Sequence, residues 1–183
     1  MARGAPRSAN RQPSMQTTIS TYEFTDKAAG YRRLAADLQA LLAGEHDLIA
    51  NAANTAALLF AALPEVNWAG FYFLRNGALI VGPFQGKPAC VRIALGRGAC
   101  GTAAAGRHTL VVADVHEFPD HIACDAESRA EIVVPLLRGG ELLGVLDIDS
   151  PLPDRFDPED AQGLEALLGV LLEASDFGGL AIP

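Results

Sequence analysis

The stretch VNWAGFYFLRNGALIVG, residues 66–82, decides the fold. Its two halves, residues 66–74 and 78–82, consist almost wholly of aromatic and aliphatic residues, and Asn76-Gly77 stands between them. Asn-Gly favours a two-residue hairpin turn because both central positions of a type I′ turn need positive φ. The stretch therefore predicts an antiparallel β-hairpin.

Two helical patterns precede the hairpin. Residues 26–42 place apolar side chains at helical spacing, with Thr25 as the predicted N-cap and Gly44 as the stop. The apolar positions are Tyr31, Leu34, Leu38, Leu41 and Leu42. Residues 47–63 give a second pattern, which Pro64 ends because proline cannot continue a helix. The predicted apolar face of this second helix comprises Ile49, Ala52, Ala53, Ala56, Phe60 and Leu63.

The second half of the chain combines strand patterns with two more helices. The alanine-rich sequence after Gly98 predicts a short helix, and Asp157-Pro158 supplies an N-cap and a first-turn proline for a closing helix. The apolar stripe of the closing helix is Leu164, Leu167, Leu168, Leu171 and Leu172. Further strands are predicted at residues 91–95, 109–113, 132–137 and 142–148, the last two joined around Gly139-Gly140. Together with the hairpin, these elements predict one α+β domain with a six-stranded, mostly antiparallel sheet.

Composition restricts the class of protein. The chain has 183 residues, half of them hydrophobic, which is enough to bury one core. A net charge of −8 repels a phosphate backbone, so nucleic acid is not an expected partner. No apolar run approaches the roughly 20 residues that span a bilayer, and no signal peptide precedes the domain, so we expect no membrane association and a cytoplasmic protein.

The chain ends differ from its middle. Residues 1–20 contain three arginines and no acidic residue and lack apolar periodicity, so we interpret them as a disordered leader. An organellar transit peptide is the alternative, but no amphipathic face supports it. A start at Met15 would remove most of this segment. The folded domain is predicted to cover residues 21–177, and residues 178–183 form a C-terminal tail.

All three cysteines, Cys90, Cys100 and Cys124, lie in the middle of the chain. Their number is too small and odd for a disulfide framework, and no spacing typical of a zinc site occurs, so reactive thiols in a reducing compartment are the first hypothesis. Cys100 follows Arg97 at a predicted helix start, where a thiol pKa is lowered, but a small buried hydrophobe is an equally good interpretation. Cys124 lies in a long loop, residues 114–131, which has no clear periodicity and is of a kind that is often functional.

Acidic residues follow one strand pattern. Asp147 and Asp149 are two apart on a predicted strand, so their side chains share one face, and Glu131 precedes the neighbouring strand. Carboxylates on a core-proximal face imply a cationic ligand, whereas the alternative is that they point to solvent. Acids that repel one another raise at least one pKa, so one member can stay protonated and donate a proton. Trp68 is a core residue or, if sulfur chemistry occurs here, an aromatic surface for a sulfoxide.

Several motifs in this order resemble the free methionine-(R)-sulfoxide reductases, a family built on the GAF fold. The motifs are VNWAGFYF, GPFQGKPAC, LGRGACGTAA, DVHEFPDHIACDAES, EIVVPL and GVLDIDSP. The resemblance covers residues 31–172 and implies an L-methionine (R)-S-oxide reductase that acts on the free amino acid. It implies that no metal or organic cofactor is bound and that electrons come from thioredoxin, which NADPH reduces through thioredoxin reductase.

The resemblance also implies roles for residues. Glu131, Asp147 and Asp149 occupy the acidic positions that hold the substrate, and Trp68 occupies that of the aromatic residue packed against its methyl-sulfinyl end. The three family cysteine positions are filled by Cys90, Cys100 and Cys124.

The assignment of cysteine roles follows the family pattern. Cys124 is taken as the nucleophile, Cys90 as its resolving partner through a disulfide, and Cys100 as an auxiliary or alternate thiol. Local sequence alone favours Cys100 as the nucleophile, so the assignment stays open at this point.

Two other classes of protein remain as alternatives. A non-catalytic GAF sensor module binds a small ligand without turnover, and a thiol redox sensor forms the disulfide without reducing a sulfoxide. We expect a homodimer, because pairing through terminal helices is common for GAF domains.

Overall fold

The computed structural model describes residues 22, 24–118 and 126–178. In this part of the chain the helices are α1 (Lys27–Leu41), α2 (Leu48–Ala62), α3 (Gly98–Gly106) and α4 (Pro158–Ala174). The strands are β1 (Trp68–Arg75), β2 (Ala78–Gly86), β3 (Arg92–Ala94), β4 (Leu110–Val112), β5 (Ala130–Arg138) and β6 (Glu141–Ser150). The predictions for the leader, for the tail from residue 179 and for residues 119–125, which include Cys124, lie outside the described residues.

One six-stranded sheet, in the order β3-β2-β1-β6-β5-β4, organises the domain. All of its strand pairs are antiparallel. The predicted α+β class and strand number are confirmed, and "mostly antiparallel" becomes fully antiparallel. Compared with the predicted bounds, β1 begins two residues later, β3 and β4 are shorter, and β5 and β6 are longer.

Alternation along the central strands gives the sheet a core on each face. On one face, Phe71 and Phe73 of β1 pack with helices α1, α2 and α4. On the other face, Trp68 and Tyr72 of the same strand pack with helix α3 and Cys100. Because strand side chains point alternately to opposite faces, the aromatic run of β1 supplies both cores at once.

The predicted hairpin is confirmed, and its second strand is longer than expected. Asn76 and Gly77 have φ of 50° and 78°, as a type I′ turn requires. The prediction ended β2 at Gly82, before Pro83. The strand continues to Gly86 because a bulge at this point lets β2 hold one more residue than β1, and a proline is tolerated at a bulge.

Two details of the first helices differ from the prediction. Asp26, not Thr25, caps α1, and its side chain accepts from the Ala29 N–H at 2.9 Å. The buried face of α2 includes Leu48, Ala52, Ala56 and Leu59, whereas Ile49 and Ala53 of the predicted face are exposed. Because α2 is apolar at nearly every position, its periodicity does not determine which face is buried.

A partly buried polar cluster joins α1 to α4. Asp157 caps α4 as predicted, in a capping box with Asp160. Lys27 of α1 lies 2.7 Å from Asp157 and 2.6 Å from the fully buried Asp160, and the Tyr31 hydroxyl donates to Asp160 at 2.8 Å. The cluster links the two helices that pack on one face of the sheet. Helix α3 packs on the opposite face. None of the helices in the described part of the chain has the length and hydropathy that crossing a membrane requires.

Candidate active site

Three neighbouring strands bring the predicted acids and the tryptophan together. Asp149 of β6 pairs with Glu131 of β5 on one side and with Trp68 of β1 on the other. Asp147 stands two residues earlier, opposite Gly70 of β1. Because residues two apart share a face, these side chains all lie on the α3 side of the sheet. Glu131 and Asp147 are buried, Asp149 is half-buried, and the solvent-facing alternative is thereby wrong for Asp147.

Helix α3 places the Cys100 thiol over these acids. Its Sγ donates to Glu131 Oε1 at 3.7 Å, and the residue is 3% exposed. Ligand atoms of Cys100, Glu131 and Asp147 all lie within 4.8 Å of one another, so together they form the group that could hold a cation, whether an ammonium or a metal ion. Within the described part, Asp147 Oδ1 is buried and has no hydrogen-bond partner. An acceptor left unpaired in this way is costly unless a ligand supplies the donor.

Burial dominates the titration of the acids. It raises the pKa of Glu131 to about 7, against hydrogen bonds from Asp147 and Cys100 that favour the carboxylate. Burial also raises the pKa of Asp147 well above its ordinary value, and the charges of Asp149 and Glu131 raise it further. The expectation that clustering keeps one acid protonated near neutral pH agrees with these directions, although desolvation outweighs repulsion.

The expected activation of Cys100 is wrong. Its position near a helix start predicted a lowered thiol pKa. Burial instead raises the pKa of the Cys100 thiol well above its ordinary value, and the charges of Asp147 and Glu131 act in the same direction. Desolvation and the carboxylates that face the sulfur outweigh the helix start, so this environment favours the protonated form of the Cys100 thiol.

Trp68 forms an aromatic wall beside the acids. Its ring stacks on Tyr72 at 5.8 Å and on Phe84 at 5.3 Å between centroids, and its Nε1 donates to the Lys87 carbonyl at 3.1 Å. A small cavity of about 20 Å³ lies against this wall. It is lined by Trp68, Tyr72, Lys87, Pro88, Ala89, Asp147 and Asp149. A space of this size holds about one water molecule, and its lining places an apolar ring beside two carboxyl groups.

The chain is similar to known proteins in sequence and fold. The GAF domain family matches residues 34–171. Free methionine-R-sulfoxide reductase of Escherichia coli (strain K12) is 52% identical over 146 residues, 80% of this chain and 88% of that protein. The solved structure of free methionine-R-sulfoxide reductase from Neisseria meningitidis, in complex with its substrate, has a TM-score of 0.80 and 46% identity, covering 84% of this chain and 92% of that one. This chain belongs to the free methionine-R-sulfoxide reductase family of GAF-domain proteins.

One further solved structure carries a different kind of name. A putative GAF sensor protein from Burkholderia vietnamiensis has a TM-score of 0.79 and 59% identity, with 81% of this chain and 95% of that chain covered. The resemblance identified from the motifs is therefore confirmed at the level of family and fold. The activity and the sensor role in these names refer to the relatives themselves.

Within this free methionine-R-sulfoxide reductase family member, the two described cysteines differ in redox state. Cys90 is disulfide-bonded and half-buried, whereas Cys100 is a free thiol. Cys124, the predicted nucleophile, lies outside the described residues. On the far side of that gap, Lys87 pairs with Glu127 at 2.6 Å and the Asn67 amide donates to Ser128 at 3.2 Å. These contacts join the segment after the gap to Asn67, directly before Trp68, and to the loop between β2 and β3 that contains Cys90.

Sequence reasoning missed Tyr72 and Gly70 as parts of the family site. Both follow Trp68 at intervals of two along β1, so strand periodicity already places them on the site face. Tyr72 lines the cavity, and burial together with the neighbouring acids raises the pKa of its hydroxyl. Gly70 is needed because a Cβ there would lie 2.3 Å from the Cβ of Phe84 and 2.6 Å from the Trp68 ring. A glycine leaves no pattern of its own, which is why it was not found.

Proposed function

We propose that this protein reduces free L-methionine (R)-S-oxide to L-methionine. The observation that carries this proposal is that Asp147, Asp149 and Trp68 line one cavity, with Glu131 paired to Asp149 on the neighbouring strand. A free amino acid with a methyl-sulfinyl end offers a cation for the acids and an apolar group for the ring. The name of the Escherichia coli relative and the substrate complex of the Neisseria meningitidis relative support the same reaction.

Substrate binding follows from the charges of the site. The substrate ammonium lies against the three acids, and one of its N–H groups donates to the orphaned Asp147 Oδ1. The methyl-sulfinyl end packs on the Trp68 ring, where sulfur contacts with an aromatic face are favourable. Because the pKa of Glu131 is about 7, an acid of this cluster can hold a proton at neutral pH and donate it toward the sulfoxide oxygen.

The chemical step transfers oxygen from one sulfur to another. The Cys124 thiolate reacts with the sulfoxide group, the S–O bond of the substrate breaks as the oxygen passes to the cysteine sulfur, and Cys124 is left as a sulfenic acid with no bond to the substrate. The substrate sulfur gains the electron pair that the cysteine sulfur loses, and a proton from the acid cluster balances the charge. Methionine then leaves the site.

Regeneration uses the second cysteine and an external reductant. The Cys90 thiol condenses with the Cys124 sulfenic acid, which forms a disulfide and releases water. Cys90 is disulfide-bonded and Cys100 is a free thiol, which supports Cys90 rather than Cys100 as the resolving cysteine. Thioredoxin, reduced by NADPH through thioredoxin reductase, opens the bond by thiol exchange. No bound metal or organic cofactor takes part in this scheme.

A coupled assay tests the proposal. NADPH oxidation is followed with thioredoxin and thioredoxin reductase, and free methionine (R)-sulfoxide, its S epimer and a protein-bound sulfoxide are supplied in parallel. We expect consumption with the free R epimer alone. NADPH consumption with the protein-bound sulfoxide would contradict the proposal. So would the absence of consumption with both free epimers, provided that the protein is shown to be folded and reduced.

A ligand sensor is the second candidate, because the relative from Burkholderia vietnamiensis is described as a putative GAF sensor. The acids and the tryptophan would serve a sensor equally well as a binding site for a cationic amino acid derivative. Isothermal titration with free methionine and both sulfoxide epimers separates the two functions. Binding without NADPH consumption would favour the sensor.

A further inference from the structure

The contact between Cys100 and Glu131 has no part in the reaction described above. We propose that Cys100 is a positioning residue whose thiol donates a hydrogen bond to Glu131 and holds that carboxylate in its substrate-binding orientation, and that Cys100 does not exchange electrons during the cycle. This inference rests on the proposed function, because it assigns Glu131 to the substrate ammonium.

The geometry of the thiol is that of a donor. Cys100 Sγ lies 3.7 Å from Glu131 Oε1, and both residues are buried, at 3% and 6% exposed. A thiol can donate only while it is protonated, and burial together with the facing carboxylates favours that form. A thiolate at this place would be an unpaired anion beside two acids. The environment that disqualifies Cys100 as a nucleophile is therefore the one that a donor requires.

Glu131 needs such a donor because of its other neighbours. The groups that face it from the surrounding elements are Asp147 and Asp149 of β6, Tyr72 of β1 and Cys100 of α3, and its partner on β4 is the apolar Val112. Burial disfavours the ionised form of Glu131, and of these neighbours Asp147 and Cys100 act in the opposite direction through hydrogen bonds to its carboxylate. A neutral donor favours the ionised carboxylate without adding a cation that would compete with the substrate.

The backbone holds the thiol in place. Gly101, the next residue of α3, lies so close to β3 that a Cβ there would be 2.3 Å from the Ala94 carbonyl. The Gly96 N–H donates to the Gly101 carbonyl at 2.7 Å. The turn that carries Cys100 is therefore packed directly against the sheet, as a residue that orients a carboxylate must be.

The redox state of the cysteines agrees with a role outside the electron path. Cys100 is a free thiol in a structure in which Cys90 is already disulfide-bonded. Its burial also keeps a protein reductant from reaching the sulfur. Since the disulfide of Cys90 does not include Cys100, the Cys100 thiol is available to donate a hydrogen bond.

Two variants separate hydrogen bonding from packing and from redox chemistry. Cys100→Ser keeps a donor and loses an apolar sulfur, whereas Cys100→Ala keeps an apolar side chain and loses the donor. We expect Cys100→Ala to raise the KM for free methionine (R)-sulfoxide at pH 7 by about tenfold, the effect of one hydrogen bond to a charged group, with a smaller change in kcat. Cys100→Ser should recover most of the loss.

A titration without substrate makes the test independent of catalysis. Carbon-13 NMR of side-chain carboxyls follows the Glu131 pKa in the wild type and both variants. Because the hydrogen bond favours the carboxylate, we expect Cys100→Ala to raise this pKa and Cys100→Ser to leave it close to the wild-type value. If the wild type shows no reductase activity but the NMR shifts follow this order, the proposed function fails and the hydrogen bond stands.

Three results would overturn the inference. Equal loss of turnover in Ser and Ala variants would make Cys100 a redox thiol. A Glu131 pKa that is the same in all three proteins would show that the contact has no electrostatic role. If Cys100→Ala keeps a KM closer to the wild-type value than Cys100→Ser does, the contribution of Cys100 is packing and not hydrogen bonding.

Discussion

Glu131 and Asp149 stand opposite each other in the β5/β6 ladder, and Asp149 pairs on its other side with Trp68 of β1. Three adjacent strands thus place two acids and an aromatic ring in one row across the sheet. Like charges directly opposite each other destabilise a sheet. A pair that costs stability in this way agrees with the proposed role of both acids in binding a cationic ligand.

The acids of β6 are expected to act on substrate binding more than on the chemical step. Asp147→Asn and Asp149→Asn each remove an ionisable carboxyl group from the proposed ammonium site, so we expect KM to rise about tenfold to hundredfold, the value of a hydrogen bond to a charged group. Steady-state kinetics in the coupled assay measure this change. Asp154→Asn is the matched control, because it removes an exposed charge from a loop. Near-normal KM in both site variants would contradict the assignment.

The cysteine roles can be separated by trapping the intermediate. With Cys90→Ser, a Cys124 sulfenic acid has no resolving partner, so we expect one methionine per chain and a stable adduct with a sulfenic-acid reagent such as dimedone. Cys124→Ser should release no methionine at all. Mass spectrometry of the adduct identifies the modified residue. An adduct on Cys100 in the Cys90→Ser variant would show that the nucleophile has been assigned wrongly.

The sequence was sufficient for the parts of the site that lie on regular strands. Alternation placed Asp147 and Asp149 on one face, and Asn76-Gly77 fixed the hairpin that carries Trp68. It was not sufficient where several weak effects compete in three dimensions. The helix start beside Cys100 suggested a reactive thiol, but the carboxylates that reverse this lie 31 and 47 residues further along the chain. The extension of β2 past Pro83 was missed for a similar reason, since a bulge is set by pairing with β1.

Because Glu131 is buried, its negative charge is expected to destabilise the fold at alkaline pH. Its pKa of about 7 lies above the value of roughly 4.3 for an unfolded glutamate. The folded state therefore binds the proton more tightly, and this contribution to stability is fully present below pH about 4 and is lost as pH rises through about 7. We therefore expect the free energy of unfolding of Glu131→Gln, relative to that of the wild type, to increase by about 2 kcal/mol from pH 5 to pH 8.

Urea denaturation at the two pH values measures this gain. Glu141→Gln is the control, because it changes the same charge at an exposed position of β6. The Gln variant should at the same time bind substrate less well, since the amide carries no charge for the ammonium. An equal stability difference at both pH values would show that the Glu131 pKa is not raised on folding.

The close packing behind Trp68 predicts that a single methyl group at Gly70 disturbs the site. A Cβ there would lie 2.3 Å from Phe84 Cβ and 2.6 Å from the Trp68 ring, so either the two strands or the ring must move. We expect Gly70→Ala to lower the free energy of unfolding by about 1 to 3 kcal/mol, as overpacking does, and to raise KM because the ring forms the cavity wall.

Gly169→Ala in α4, where a Cβ meets nothing within 4 Å, should instead stabilise the fold by about 0.5 to 1 kcal/mol. Thermal unfolding and tryptophan fluorescence of the two variants measure both effects, since Trp68 is the single tryptophan of the chain. Unchanged fluorescence and KM in Gly70→Ala would mean that Trp68 does not depend on this contact for its place beside the acids.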